Sequence, residues 1–73
     1  MDILFSTELF YKGLSQVFEV SFENEEYVFR NKDKSESFSV QREEDEWHAE
    51  NTLPEVVKSE AVEKLEQYLL SQH

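Results

Sequence analysis

The sequence predicts an α+β fold, in which a three- or four-stranded antiparallel β-meander carries a C-terminal amphipathic helix packed on one face. Short segments between residues 16 and 50 alternate apolar with polar side chains and are separated by charged turns. Residues 52–72 instead repeat apolar side chains with the period of a helix. At 73 residues the chain has room for a single small domain, 1–73, which begins with an apolar segment at 1–15.

The N-terminal segment 1–15 fits neither a one-sided helix nor a one-sided strand. It holds seven large apolar side chains, namely Ile3, Leu4, Phe5, Leu9, Phe10, Tyr11 and Leu14. We favour a short helix that ends at Gly13, because glycine is common just past a helix end. Ser6 or Thr7 can cap the start of such a helix.

The first two predicted strands cover residues 16–22 and 27–30 and form a hairpin. Alternation directs one set of their side chains toward the core: Phe18, Val20, Phe22, Tyr27 and Phe29. The polar connection at 23–26 contains Asn24, the residue there that best tolerates a left-handed conformation.

A third strand is predicted over residues 37–42, and a short fourth strand over 47–50. Their core-facing side chains are Phe38, Val40, Trp47 and Ala49. The brevity of the fourth segment leaves the strand count at three or four. The opposite face of the sheet is expected to be polar and to face water, with Glu19, Ser21, Val28, Arg30, Ser37, Ser39, Gln41 and His48.

The C-terminal helix is predicted to start near Thr52, which can cap it in a capping box with Glu55. Pro54 is tolerated in the first turn, and Ser59 offers an alternative cap for a shorter helix. The apolar stripe expected to dock on the sheet contains Val57, Ala61, Val62, Leu65, Tyr68 and Leu69.

Composition narrows the classes of function. Seventeen acidic against seven basic residues give a net charge of −10, which disfavours direct binding to nucleic acid and to anionic membranes. The chain has no cysteine, and none of its apolar runs approaches the roughly 20 residues of a membrane span. We therefore expect a soluble, cytoplasmic protein.

Catalytic and metal-binding patterns are weak. His48 falls on the outer face of a predicted strand, without the G-x-S-x-G pattern of an activated serine. Neither glutamate-rich turn has the ligand spacing of a calcium loop. We expect no enzyme activity, no cofactor and no specific metal site.

The acidic residues suggest an interaction surface. Strands of a meander alternate in direction, so the connections after the first and third predicted strands should emerge at the same end of the sheet. These connections are flanked by Glu23, Glu25, Glu26, Glu43, Glu44, Asp45 and Glu46. The carboxylates either solubilise two hairpin turns or form a docking surface for a basic partner.

The sequence therefore favours a non-enzymatic protein-interaction or accessory module. Its partner is either another protein or a second copy of the chain, bound through apolar N-terminal residues: Phe5, Leu9, Phe10 and Tyr11. A monomer that folds this segment onto itself is equally compatible with the pattern. An alternative function is an acidic mimic of nucleic acid that inhibits a DNA- or RNA-binding protein.

Overall fold

The computed structural model describes residues 3–33 and 35–72 as a five-stranded antiparallel sheet with one C-terminal helix. The elements are β1 Ile3–Tyr11, β2 Leu14–Glu23, β3 Glu26–Asn31, β4 Ser37–Glu43, β5 Glu46–Ala49 and α1 Glu55–Ser71. The spatial order of the strands follows the chain, and each strand pairs with the next in antiparallel fashion. The α+β prediction is confirmed, but the sheet has five strands where three or four were expected.

The additional strand is β1, so the prediction of a short N-terminal helix is wrong. Gly13 has a φ of 79° and Lys12 a φ of 52°, and together they form the two-residue turn that joins Tyr11 to Leu14. The left-handed conformation of glycine thus closes a hairpin and does not end a helix. A register shift between Ile3 and Phe5 interrupts the alternation of β1. Neither period fitted the segment because of this bulge and because the exposed Phe10 lies between the buried Leu9 and Tyr11.

The two other tight turns of the sheet also use left-handed residues. Asn24 and Glu25 join β2 to β3 with φ angles of 50° and 65°. Glu44 and Asp45 join β4 to β5 with φ angles of 50° and 70°. The prediction for Asn24 is confirmed. A positive φ at both central residues is the mark of a type I′ turn, whose twist matches that of the flanking strands.

Replacing Glu25 by glycine is expected to stabilise the protein by about 0.5–1 kcal/mol. A residue with a Cβ atom is destabilised by roughly 1–2 kcal/mol in the left-handed region, and glycine avoids this strain. Glycine also has greater conformational freedom in the unfolded chain, so part of the stabilisation is lost on folding. Urea denaturation of Glu25→Gly and Glu25→Ala measures the effect. The alanine variant removes the same charge but keeps Cβ, so an equal gain in both variants would show that charge, and not backbone strain, is responsible.

The core lies between α1 and one face of the sheet. Its buried apolar side chains are Leu9, Tyr11, Phe18, Val20, Phe29, Phe38, Val40, Val57, Ala61 and Leu65. The predicted inward faces of the central strands agree with this set, but two residues behave differently. Phe22 is on the core face, opposite Tyr27, yet is 52% exposed. Ser21 is on the outer face but is buried, and its hydroxyl donates a hydrogen bond to Glu23.

One polar side chain is also part of the core layer. Asn31 is buried opposite Phe18. Its side-chain amide donates to Gln16 Oε1 at 3.0 Å and to Ser35 Oγ at 3.1 Å, and its Oδ1 accepts from the Glu36 backbone N–H at 3.1 Å. These bonds satisfy the buried amide and hold the connection between β3 and β4 in place.

Helix α1 begins at Glu55, with Pro54 in the N-cap position and no side-chain capping bond. The predicted capping box is therefore wrong, and the Thr52 hydroxyl instead lies 3.4 Å from a carboxylate oxygen of Glu50. The alternative start at Ser59 is also wrong. The predicted docking stripe is confirmed, because its six residues are buried or half-buried, whereas Glu63, Glu66 and Gln67 are exposed.

The helix lies across β1 and runs antiparallel to it. The ring of Phe5 stacks on that of Tyr68 with centroids 4.5 Å apart. Further along β1, the backbone N–H of Phe10 donates to Glu60 Oε1 at 2.9 Å. β1 is an edge strand, so this carboxylate satisfies a backbone donor that has no neighbouring strand to accept its bond.

Candidate functional site

The meander places the turn at Asn24 and Glu25 and the turn at Glu44 and Asp45 at the same end of the sheet. We call this the acidic end, defined by Glu23, Glu25, Glu26, Glu43, Glu44, Asp45 and Glu46. Helix α1 runs antiparallel to β1, so its C-terminus also points to this end. The last turn of α1 contains no basic residue, and the negative end of its dipole adds to the acidic potential.

Two arginines neutralise part of the acidic end. Arg30 Nη1 lies 2.9 Å from Glu23 Oε2, and Arg42 Nη2 lies 3.5 Å from Asp45 Oδ1. The hydrogen bond from Arg30, together with one from the Ser21 hydroxyl, holds the pKa of Glu23 below its ordinary value. In residues 3–33 and 35–72, the other five carboxylates of the acidic end form no ion pair with a side chain.

The opposite end of the molecule carries its own charge pairs. Lys12 Nζ lies 2.9 Å from Glu36 Oε1, and this bond raises the pKa of the lysine. Hydrogen bonds from the hydroxyl and backbone N–H of Ser35 lower the pKa of Asp33. Lys34 lies outside the described residues. The ends of the molecule therefore differ in charge, and the excess of carboxylates lies at the acidic end.

Three aromatic side chains adjoin the acidic end on the core face of the sheet. The ring centroid of Tyr27 is 4.9 Å from that of Phe22 and 5.8 Å from that of Trp47. We call Phe22, Tyr27 and Trp47 the aromatic strip. Each of them is next in sequence to a carboxylate of the acidic end, namely Glu23, Glu26 and Glu46. Aromatic and acidic side chains thus share one end of the molecule.

A groove continues from the aromatic strip toward the end of the helix. The guanidinium carbon of Arg42 is 5.4 Å from the ring centroid of Trp47, a cation–π distance. Arg42 also lines a groove of about 500 Å³ with Glu66, Leu69 and Leu70, which we call the C-terminal groove. Leu70 is 73% exposed. The strip and the groove therefore form a continuous surface that is partly apolar.

The sequence predicted that all three side chains of the aromatic strip face the core. That prediction is confirmed for Tyr27 and Trp47, which are half-buried against the core, but Phe22 is 52% exposed. The available signal was position: Phe22 is the penultimate residue of β2, and Trp47 is the second residue of β5. Side chains so close to a turn lie at the end of the sheet, where fewer neighbouring residues can cover them.

The proposed self-association residues do not form a common surface. Leu9 and Tyr11 are core residues, and Phe5 is half-buried against Tyr68. Phe10 alone of the four is exposed, at 57%. Leu9 and Tyr11 are buried because the antiparallel pairing of β1 with β2 places both side chains on the core face, so neither is exposed in this structure.

The described residues contain neither of two further kinds of functional feature, a cluster of metal-ligating side chains and a membrane-spanning helix. Residues 3–33 and 35–72 contain no group of three or more His, Asp or Glu side chains that could hold a metal ion. His48 is exposed on the outer face, opposite Gln41. Within the same part of the chain, no helix combines the length and the apolar character needed to cross a membrane.

Comparison of the chain with known protein families, with curated proteins and with solved structures returns no match.

Proposed function

We propose that this protein is a non-enzymatic, cytoplasmic interaction module that binds a basic protein partner at its acidic end. The observation that carries the proposal is the juxtaposition of carboxylates with exposed apolar side chains. Five of the carboxylates have no ion pair among the described residues, and Phe22 and Leu70 are more than half exposed beside them.

The two kinds of surface contribute differently to binding. Carboxylates around an interface steer a basic partner and disfavour acidic competitors, but each exposed charge contributes little affinity. Apolar side chains supply affinity when the partner removes them from water. If the carboxylates served only to keep two turns soluble, the exposed Phe22 and Leu70 beside them would have no role.

A second copy of the chain is a poor partner for this surface. The net charge is −10, and two acidic ends brought together would repel each other. The required complementarity therefore favours a different protein that carries lysine or arginine at the contact.

The proposal predicts that neutralising the acidic end weakens binding to a cationic peptide. The change is the triple variant Glu43→Gln, Glu44→Gln and Glu46→Gln, and the probe is a fluorescently labelled oligolysine at low salt. At about 0.5 kcal/mol for each exposed charge, we expect roughly tenfold weaker binding, measured by fluorescence anisotropy. Binding by the unmodified protein should also fall steeply as salt is added.

The matched control changes three exposed carboxylates away from the acidic end: Glu8→Gln, Glu50→Gln and Glu63→Gln. It alters the net charge by the same amount as the first variant. We expect a clearly smaller loss in the control. If both triple variants weaken binding equally, the peptide responds to diffuse net charge and the acidic end is not a binding surface.

A further inference from the structure

The apolar part of the surface indicates what kind of segment the partner presents, an inference that rests on the proposed function. The aromatic strip and the C-terminal groove are joined through Arg42, which packs on Trp47 and lines the groove. The groove, at about 500 Å³, has room for side chains of a partner but is open on one side to solvent. Its occupant must therefore be amphipathic.

Charge specifies the polar side of that occupant. Both turns that border the strip are acidic, and Glu66 lies in the wall of the groove itself. A lysine or arginine beside an apolar contact would meet a carboxylate on either side. An acidic or neutral amphipathic segment would instead leave these carboxylates without a positive partner beside the apolar contact, which lowers its affinity.

The construction of the surface favours a helix over an added strand. Side chains of α1, β4 and β5 form the walls of this surface, and a helix fills such a groove with residues spaced at i, i+3, i+4 and i+7. Strand addition would need a free backbone edge. The edge strand at this side is β5, which is four residues long and offers few backbone groups.

We propose that the C-terminal groove and the aromatic strip receive the apolar face of a basic amphipathic helix from the partner. Leucine-like side chains of that helix contact Leu69, Leu70 and Trp47. Its lysine or arginine side chains reach the acidic end. The acidic end attracts basic segments, and the groove favours the basic segments that have an apolar face.

Two leucine–lysine peptides of about four helical turns test this proposal. In the first, leucines recur at helical spacing on one face, and the second has the same composition in a shuffled order. Trp47 is the single tryptophan of the chain, so its fluorescence reports binding beside the groove. We expect the amphipathic peptide to bind at least tenfold more tightly, to shift the emission of Trp47 and to gain helical circular dichroism in the complex.

Leu70→Ser and Val56→Ser form the matched pair of variants. The two residues are 73% and 74% exposed, at opposite ends of α1, and only Leu70 lines the groove. We expect Leu70→Ser to weaken binding of the amphipathic peptide about tenfold, and Val56→Ser to leave it nearly unchanged. Far-UV circular dichroism of both variants should match that of the unmodified protein, since neither side chain is in the core.

The outcomes separate the two proposals. Equal, salt-dependent binding of both peptides, or equal losses in both variants, overturns the helix-in-groove inference and leaves the acidic end as a binding surface. Tight binding without any gain of helical signal also overturns it, in favour of an extended segment. Failure of both peptides to bind at low salt contradicts the proposed function itself.

Discussion

Replacing Phe38 by alanine is expected to lower the free energy of unfolding by about 3–5 kcal/mol. Phe38 is 6% exposed and is the centre of the aromatic cluster in the core. Its ring stacks on Phe29 with centroids 4.8 Å apart, and it lies 5.5 Å from Phe18 and 5.7 Å from Tyr11. The substitution removes three ring contacts at once and leaves a cavity that rigid neighbouring strands cannot close.

The size of this loss matters because the chain is short. A domain of 73 residues is expected to have a total stability of about 4–11 kcal/mol. Urea denaturation followed by circular dichroism should therefore show a midpoint for Phe38→Ala far below that of the unmodified protein. The control is Phe10→Ala, which removes the same atoms from a side chain that is 57% exposed. Similar midpoints for these variants would contradict the assignment of Phe38 to the centre of the core.

Replacing Leu65 by alanine is expected to cost about 2–5 kcal/mol. Leu65 is fully buried in the middle of α1 and packs, with Val57 and Ala61, on the sheet. Alanine is the best helix former, so the substitution does not weaken the helix itself. The loss should therefore report only the packing of α1 against the strands.

Glu63→Ala is the control for Leu65→Ala, since Glu63 is exposed on the same helix. We expect a change of no more than about 0.5 kcal/mol. Thermal or urea denaturation compares the two variants directly. Comparable denaturation midpoints would mean that a different face of the helix meets the sheet.

The central strands and the helix face were predictable because their environments are one-sided. In β2 and β4, one face meets the helix and the other meets solvent, so apolar residues recur at every second position, as in Phe18 and Val20. The stripe of α1 follows from the same asymmetry with a period of 3.6 residues. For these elements, burial of apolar surface alone selects both the conformation and the face.

The N-terminal strand was not predictable from periodicity. The bulge between Ile3 and Phe5 changes the face on which successive side chains lie. Phe10, in the same strand, is exposed on the outer face, while Leu9 is buried. The strand exists because its backbone pairs with β2, which is a contact between distant residues that no local pattern records.

The candidate site, like the fold, could be predicted from the sequence only in part. The acidic turns could be located from sequence, because a meander of alternating strands brings every second connection to the same end. The exposure of Phe22 and the C-terminal groove could not be found in this way. Phe22 has the spacing of a core residue, yet it is 52% exposed beside the turn that ends β2.

The sequence by itself determined the α+β class, the inward faces of β2 to β5, the docking stripe of the helix and the gathering of acidic residues at one end. These properties depend on composition and on local periodicity, which can be read from a few neighbouring residues. Tertiary structure decided that β1 is a strand, that Glu60 bonds to the backbone of Phe10, and that Phe22 and Leu70 lie exposed beside the carboxylates. These properties depend on contacts between residues that are far apart in the chain, namely the pairing of β1 with β2 and the packing of the helix on the sheet.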